Sequence, residues 1–365
     1  MAIDFAPGRW DKVKETYRLW WAGELQRPIL DMVLDGRDPG RQQPKAPLLT
    51  QETCTDLSIP AADLIDRLDY ELSKKVYLGD SFPMVNLDFF GPGVAAAFLG
   101  AQLDNSSGRV WFHPPSDTPI EDLHFTYDPE NIWLRRIQEI CAAAMDRWQG
   151  RVLVGMTDLG GTLDILSTFR PSDKLLFDLI DSPDEVKRLT WEIHDLWHRF
   201  YAGIDAVLQP KNPGSSDWCQ IFSDQPFSIY QCDFSYMISP DMFREFVRDE
   251  LEASSRRLPR SFYHLDGVGQ LPHLDMILEM DHINGVQWIP GAGAPGLEHW
   301  PDIFRRIFSA GKKAQVWGDS EATLKIIREV GHGPGIHCRL PGGHVAEEQR
   351  CRKELAKFGF DEGGQ

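Results

Sequence analysis

Residues 261–275, SFYHLDGVGQLPHLD, place a histidine two positions before an aspartate and close the pair with Gly267 and Gly269. In an extended strand successive side chains alternate, so Phe262, His264 and Asp266 share one face while Tyr263 and Leu265 take the other. An imidazole and a carboxylate pointing the same way can ligate a divalent metal such as zinc. They can also form an acid–base pair in which the carboxylate raises the imidazole pKa. The structural alternative is a buried histidine satisfied by its aspartate neighbour.

Other residues offer compatible chemistry. Asp158, in MTDLGG, holds a substrate or metal, or else braces its loop as a helix cap. Asp224 and Asp233 follow a predicted strand at Trp218–Ser223, and Asp233 opens an aromatic-rich loop, where it binds substrate or hydrogen-bonds the loop. Gln287-Trp288 and Trp317 end two further strands. With Trp218 they are candidates to line a pocket, since tryptophan faces form an apolar or cation-binding wall, although each also serves as ordinary core. Cys338 alternates with His337 and Arg339 on the last strand. It is either a third, soft metal ligand or a free buried cysteine.

The elements that must position these groups are legible from residue 151 onward. Short β-branched or aromatic runs at Val152–Thr157, Trp218–Ser223, Ser261–Leu265, Gly285–Ile289, Ala314–Trp317 and Gly335–Arg339 alternate with helical patterns, the mark of βα units on a parallel sheet. Ser182-Pro183-Asp184-Glu185 and Ser239-Pro240-Asp241 read as helix starts, and further helices run from near Trp300 to Gly311 and from Ser320 to Gly331. Pro28–Leu34 and Pro83–Phe89 complete eight strands. The predicted fold is therefore a (β/α)8 TIM barrel, one domain over 1–365, with an N-terminal helical extension and a small insertion at 91–113 after strand two. Catalytic groups in such a barrel sit at the C-terminal strand ends, which is where His264 and Asp266 fall. His332 precedes the last strand and belongs to the opposite end.

Bulk properties exclude several roles. The chain has 365 residues and a net charge of −17, from 38 basic and 55 acidic residues, with no basic run to neutralise a phosphate backbone. The six cysteines are scattered without a C-x-x-C pair, as expected of reduced thiols in a cytoplasmic protein. No apolar run is long enough to span a bilayer, and the N-terminus lacks the pattern of a secretory signal.

With these residues placed, the chain resembles the uroporphyrinogen decarboxylase superfamily, which includes the decarboxylase and the corrinoid-dependent methyltransferases of one-carbon metabolism. The resemblance covers about residues 150–340 and rests on Asp158-Leu159-Gly160-Gly161, LLFDLIDSPDEVKRL, DFSYMISPDMFREFV, YHLDGVG and INGVQWIPGAG. The decarboxylase branch holds its polyanionic tetrapyrrole with an Arg-rich N-terminal loop. Residues 20–28 here, WWAGELQRP, offer one arginine and one acid, and burying several carboxylates needs paired cations. The methyltransferase branch has a zinc-binding His-x-Cys-Gly at strand five and a second cysteine near strand eight. This chain reads His264-Leu265-Asp266-Gly267, so a carboxylate replaces the first thiolate.

The resemblance implies an enzyme that demethylates a small methoxy or methylamine compound and passes the methyl group to cobalamin on a separate corrinoid protein. It implies zinc on His264, Asp266 and Cys338, catalytic roles for His264, Asp266 and Asp158, and a homodimer. Two alternatives stand beside it: a decarboxylase-like lyase acting on a smaller acid through Asp233, Asp158 or Asp266, and a non-catalytic barrel that binds a small molecule or a corrinoid partner.

Overall fold

The computed structural model describes residues 3–360. Its central strands, in chain order, are β1 (Ile29–Asp35), β2 (Met84–Val85), β3 (Leu153–Val154), β4 (Phe227–Gln231), β5 (Arg260–Asp266), β6 (Gly285–Ile289), β7 (Lys313–Trp317) and β8 (Ile336–Arg339). One parallel sheet runs β4–β5–β6–β7–β8–β1, and β2 pairs with β3 in a second parallel sheet. Hydrogen bonds bridge the two gaps between them. Leu30 O accepts from Asp80 N at 2.8 Å just before β2. Beyond β3, Met156 N donates to Ser216 O at 2.8 Å, and Asp217 Oδ2 accepts from Ile229 N at 2.5 Å on β4. The fold is thus mixed α/β with a parallel sheet and many helices, compatible with a TIM barrel.

Strand alternation divides the core in two. Ile29, Leu153, Phe227, Ile229 and Phe262 turn inward to a cluster built on Tyr17 and Trp20 of the N-terminal helix Pro7–Trp21. Leu30, Val154, Tyr230, Tyr263, Val286, Val316 and Ile336 turn outward and pack under the surrounding helices. A helix that inserts two fully buried aromatics among the strands explains the tryptophan-rich N-terminus, because each large ring removes much apolar area from water.

Three expected strands differ, one of them Val152–Thr157, which is cut to Leu153–Val154. Trp218–Ser223 is not a strand. Ser215 and Ser223 bridge antiparallel, Gln220 takes φ +63, and the true fourth strand begins at Phe227. The run looked like a strand because Cys219, Ile221 and Phe222 are fully buried in the inner cluster, and burial alone does not distinguish a tucked loop from a strand. The second expected strand is cut to Met84–Val85, and its end becomes a 3-10 turn at Asp88–Phe90.

The helix from Pro183 runs to Leu208, with Ser182 making no side-chain cap, whereas Ser239 Oγ accepts from Met242 N at 3.2 Å. Asp319, not Ser320, caps the helix Ser320–Val330, which ends at Gly331 with φ +72 as expected. The insertion holds a hairpin of Gln102–Asp104 against Trp111–His113. No described helix is long and apolar enough to cross a membrane.

Candidate functional site

His264 and Asp266 leave β5 on the inward face, as alternation requires, since Tyr263 and Leu265 lie in the outer layer. Gly267 then turns the chain at φ +84. A Cβ at Gly269 would meet the Tyr236 ring at 2.7 Å, so the glycine there lets that ring cover the strand end. Asp233 stands two residues beyond β4. Its N–H and that of Phe234 donate to Asp164 at 3.0 and 2.7 Å, which ties the β4 loop to the helix Thr162–Phe169.

One ligand atom each from Asp233, His264 and Asp266 lies within 4.8 Å of the others. His264 Nε2 is 3.9 Å from Asp266 Oδ2, too long for a hydrogen bond. His264 Nδ1 instead meets Gln287 Oε1 at 2.5 Å. Burial lowers the His264 pKa against the opposing pull of Asp266, which favours the neutral ring at neutral pH.

The carboxyls around this group are raised. Burial, then the charge of Asp266, brings Asp233 to about 6 although its outer edge is open to solvent. Burial and Asp233 bring Asp164 to about 7. Asp158, whose Oδ1 accepts from Gly160 N at 2.9 Å, also reaches about 7 through burial, with Asp217 and Asp233 adding to it. Asp217 is raised to about 6 by burial. Asp88 goes furthest, to about 8, through burial and then the charges of Asp158 and Asp217. Carboxyls poised near neutrality can hold and give up protons, the requirement of general acid–base chemistry.

The tryptophans separate into two groups. Trp218 stands perpendicular to His264 in a T-shaped pair, and Trp317 lies against Trp218 with ring centroids 6.0 Å apart. The Arg339 guanidinium sits 5.7 Å from the Trp317 ring centre. Trp288 does not join them. It is fully buried in the outer layer against Trp300, because its strand position has the parity opposite to Gln287.

Cys338 likewise faces outward, with its Sγ 3.2 Å from Thr323 Oγ1, so the thiolate expected as third metal ligand points away from His264. The carboxylate of Asp233 is the third group near His264 and Asp266. Asp224 lies before β4 rather than after it and pairs with Arg260 at the opposite strand ends, while His332 packs on Phe308. A cavity of about 320 Å³ adjoins Asp233, lined among others by Gly93, Phe112, Asp164 and Gln231. Phe112 brings the insertion hairpin into its wall.

Asp88, Asp164, Asp217 and Gln315 escaped the reading of the sequence. Asp88 lay inside the expected strand Pro83–Phe89, and Asp217 lay one residue before the expected strand Trp218–Ser223. Gln315 had a usable signal: it shares its strand face with Trp317, two residues nearer the mouth.

The sequence matches no family model and no curated protein. Solved structures do match. A methyltransferase from Methanosarcina mazei aligns over 92% of this chain and 93% of its own, with a TM-score of 0.54 at 12% identity. At that identity the likeness is one of fold: this chain has a methyltransferase-like fold.

Proposed function

We propose that the chain is a single closed (β/α)8 barrel of the uroporphyrinogen decarboxylase superfamily and that it is a methyltransferase. Its substrate is a small methoxy or methylamine compound bound at the mouth, and the methyl group passes to cobalamin on a separate corrinoid protein. The observation behind this reading is the convergence of Asp233, His264 and Asp266 at the strand ends of a methyltransferase-like fold. Trp218 and Trp317 supply an apolar, cation-tolerant wall beside it.

One imidazole nitrogen and two carboxylate oxygens fit a divalent cation such as zinc, at a mouth that leaves room for a substrate atom. Bound there, the ion supplies Lewis acidity toward the substrate heteroatom. The protein's own groups do the rest. The tryptophans orient the methylated end, and Asp158 and Asp164 hold protons near neutral pH. As the bond to methyl breaks, the leaving oxygen or nitrogen keeps the electron pair and takes a proton from such a carboxyl.

The test is methyl transfer from a panel of methoxy-aromatics and methylamines to reduced cobalamin, read by the cobalt absorbance change. His264→Ala and Asp266→Ala are assayed beside the parent, with metal analysis of each. Transfer that is lost in both variants supports the reading, and no transfer from any donor sinks it. A decarboxylase-like reading on a smaller acid draws on Arg339, which among the described residues forms no ion pair and stands at the mouth beside Trp317. Carbon dioxide release without cobalamin methylation would favour that reading.

A further inference from the structure

Four side chains form one hydrogen-bonded row across the inside of the sheet. Register pairs His264 with Gln287, Gln287 with Gln315 and Gln315 with His337, across β5, β6, β7 and β8. His264 Nδ1 meets Gln287 Oε1 at 2.5 Å, and Gln287 Nε2 donates to Gln315 Oε1 at 2.5 Å. Gln315 Nε2 donates to the Cys219 carbonyl at 2.7 Å and meets His337 Nδ1 at 3.1 Å. His337 Nε2 then lies 3.1 Å from Asp31 Oδ2 and 3.0 Å from the Tyr17 hydroxyl. Gln287, Gln315 and His337 are fully buried, so water does not compete for these bonds.

The direction of the row follows from its ends. A backbone carbonyl can only accept, so the atom of Gln315 facing Cys219 O must be its NH2. The Gln315 oxygen therefore accepts from Gln287, whose NH2 is spent, and the Gln287 oxygen must accept from His264. That forces the proton of the neutral ring onto Nδ1. The far end agrees. His337 Nε2 meets the Tyr17 hydroxyl, whose oxygen can accept Nε2–H, and this leaves His337 Nδ1 as an acceptor for the same Gln315 NH2. Reversing any one amide would set two oxygens against each other at 2.7 Å or less, an unpaired buried polar contact that costs about 1–3 kcal/mol.

We infer that Gln287 and Gln315 are positioning residues that lock neutral His264 in its Nδ1–H tautomer, which presents the Nε2 lone pair to Asp233, Asp266 and whatever they bind. Gln287, a substrate-lining candidate by sequence, thus acts through the histidine. The inference rests on His264 being the working nitrogen of the proposed site, but the tautomer itself is measurable without any reaction. Buried second partners of this kind commonly change metal affinity by about 10–100-fold.

The test is a long-range proton–nitrogen correlation spectrum of metal-free protein labelled with 15N-histidine, with His264 assigned by its absence from His264→Gln. The expected spectrum has His264 Nδ1 protonated and Nε2 bare. A protonated Nε2 in the parent overturns the inference. Gln287→Glu, protonated in this buried row so that its hydroxyl still donates to Gln315 Oε1 while its carbonyl oxygen accepts from Nδ1, should keep the tautomer. Gln287→Leu and Gln315→Leu should admit the Nε2–H form and weaken Co2+ binding at least about tenfold. A folded Gln315→Leu with an unchanged tautomer reduces that residue to packing and overturns its role. If either leucine variant fails to fold, the parent spectrum and Gln287→Glu still decide. Failure of the cobalamin assay would leave the tautomer untouched, so the two ideas fail separately.

Discussion

Trp218 and His264 stand perpendicular to one another, ring centroids 5.0 Å apart and planes at 89°. The contact joins the aromatic wall to the proposed reacting nitrogen, so a donor lying over Trp218 and Trp317 has its methylated end beside His264. Trp218→Leu should raise KM for methylamine or methoxy donors about tenfold, the order expected for losing a desolvated cation–π or stacking partner. Steady-state kinetics on the donor panel check this, and an unchanged KM across the panel would place the substrate elsewhere.

The donor set itself is open to a direct comparison. Asp233→Asn keeps the shape of the side chain but weakens its ligation, and should lower Co2+ affinity at least about tenfold, which is about 1.4 kcal/mol. Cys338→Ser should leave that affinity within twofold of the parent, because its Sγ faces Thr323 in the outer layer. Titration of both metal-free variants by cobalt absorbance reads the difference. A thiolate-type charge-transfer band lost in Cys338→Ser would restore the cysteine as a ligand.

Strand parity explains how much of this was readable from sequence. On β5, all five residues from Phe262 to Asp266 follow one alternation, so the inward His264 and Asp266 followed once the strand was found. The β6–β8 region gave its strands within a residue or two for the same reason. What failed was the step into β4: the loop through Cys219, Ile221 and Phe222 is as buried as any strand, and Asp217 supplies by side chain the bonds a ladder would have made to Cys219 N and Ile229 N. With β4 misplaced, the nearness of Asp233 to His264 was out of reach. The carboxyl cluster of Asp88, Asp158 and Asp217 was hidden too, since its members are far apart in sequence and only the parallel sheet gathers them.

Trp288 tests the same parity from the other side. It fills the outer layer against Trp300, and Trp288→Ala should cost about 3–5 kcal/mol, the usual loss for emptying a large aromatic site. Denaturant unfolding reads that cost. The folded variant should keep the His264 tautomer and its metal affinity, since the neighbouring Gln287 points to the opposite face. Loss of metal binding at full stability would contradict an outward-facing Trp288.

Asp88 makes stability depend on pH with a definite sign. Its folded carboxyl is raised to about 8 from an ordinary value of 3.8, so between these limits the folded protein keeps a proton that the unfolded chain has released. The stabilisation is fully present below about pH 4 and is lost as pH rises through about 8. Asp158 and Asp164, raised to about 7, act in the same direction. In chelator-treated protein the denaturant midpoint should therefore fall between pH 5 and pH 8.5. Asp88→Asn mimics the protonated acid and removes one titrating group, so the variant should lose less stability over that interval and overtake the parent at its alkaline end. Parallel pH profiles for parent and variant would mean that Asp88 ionises in the folded protein much as it does in the unfolded chain.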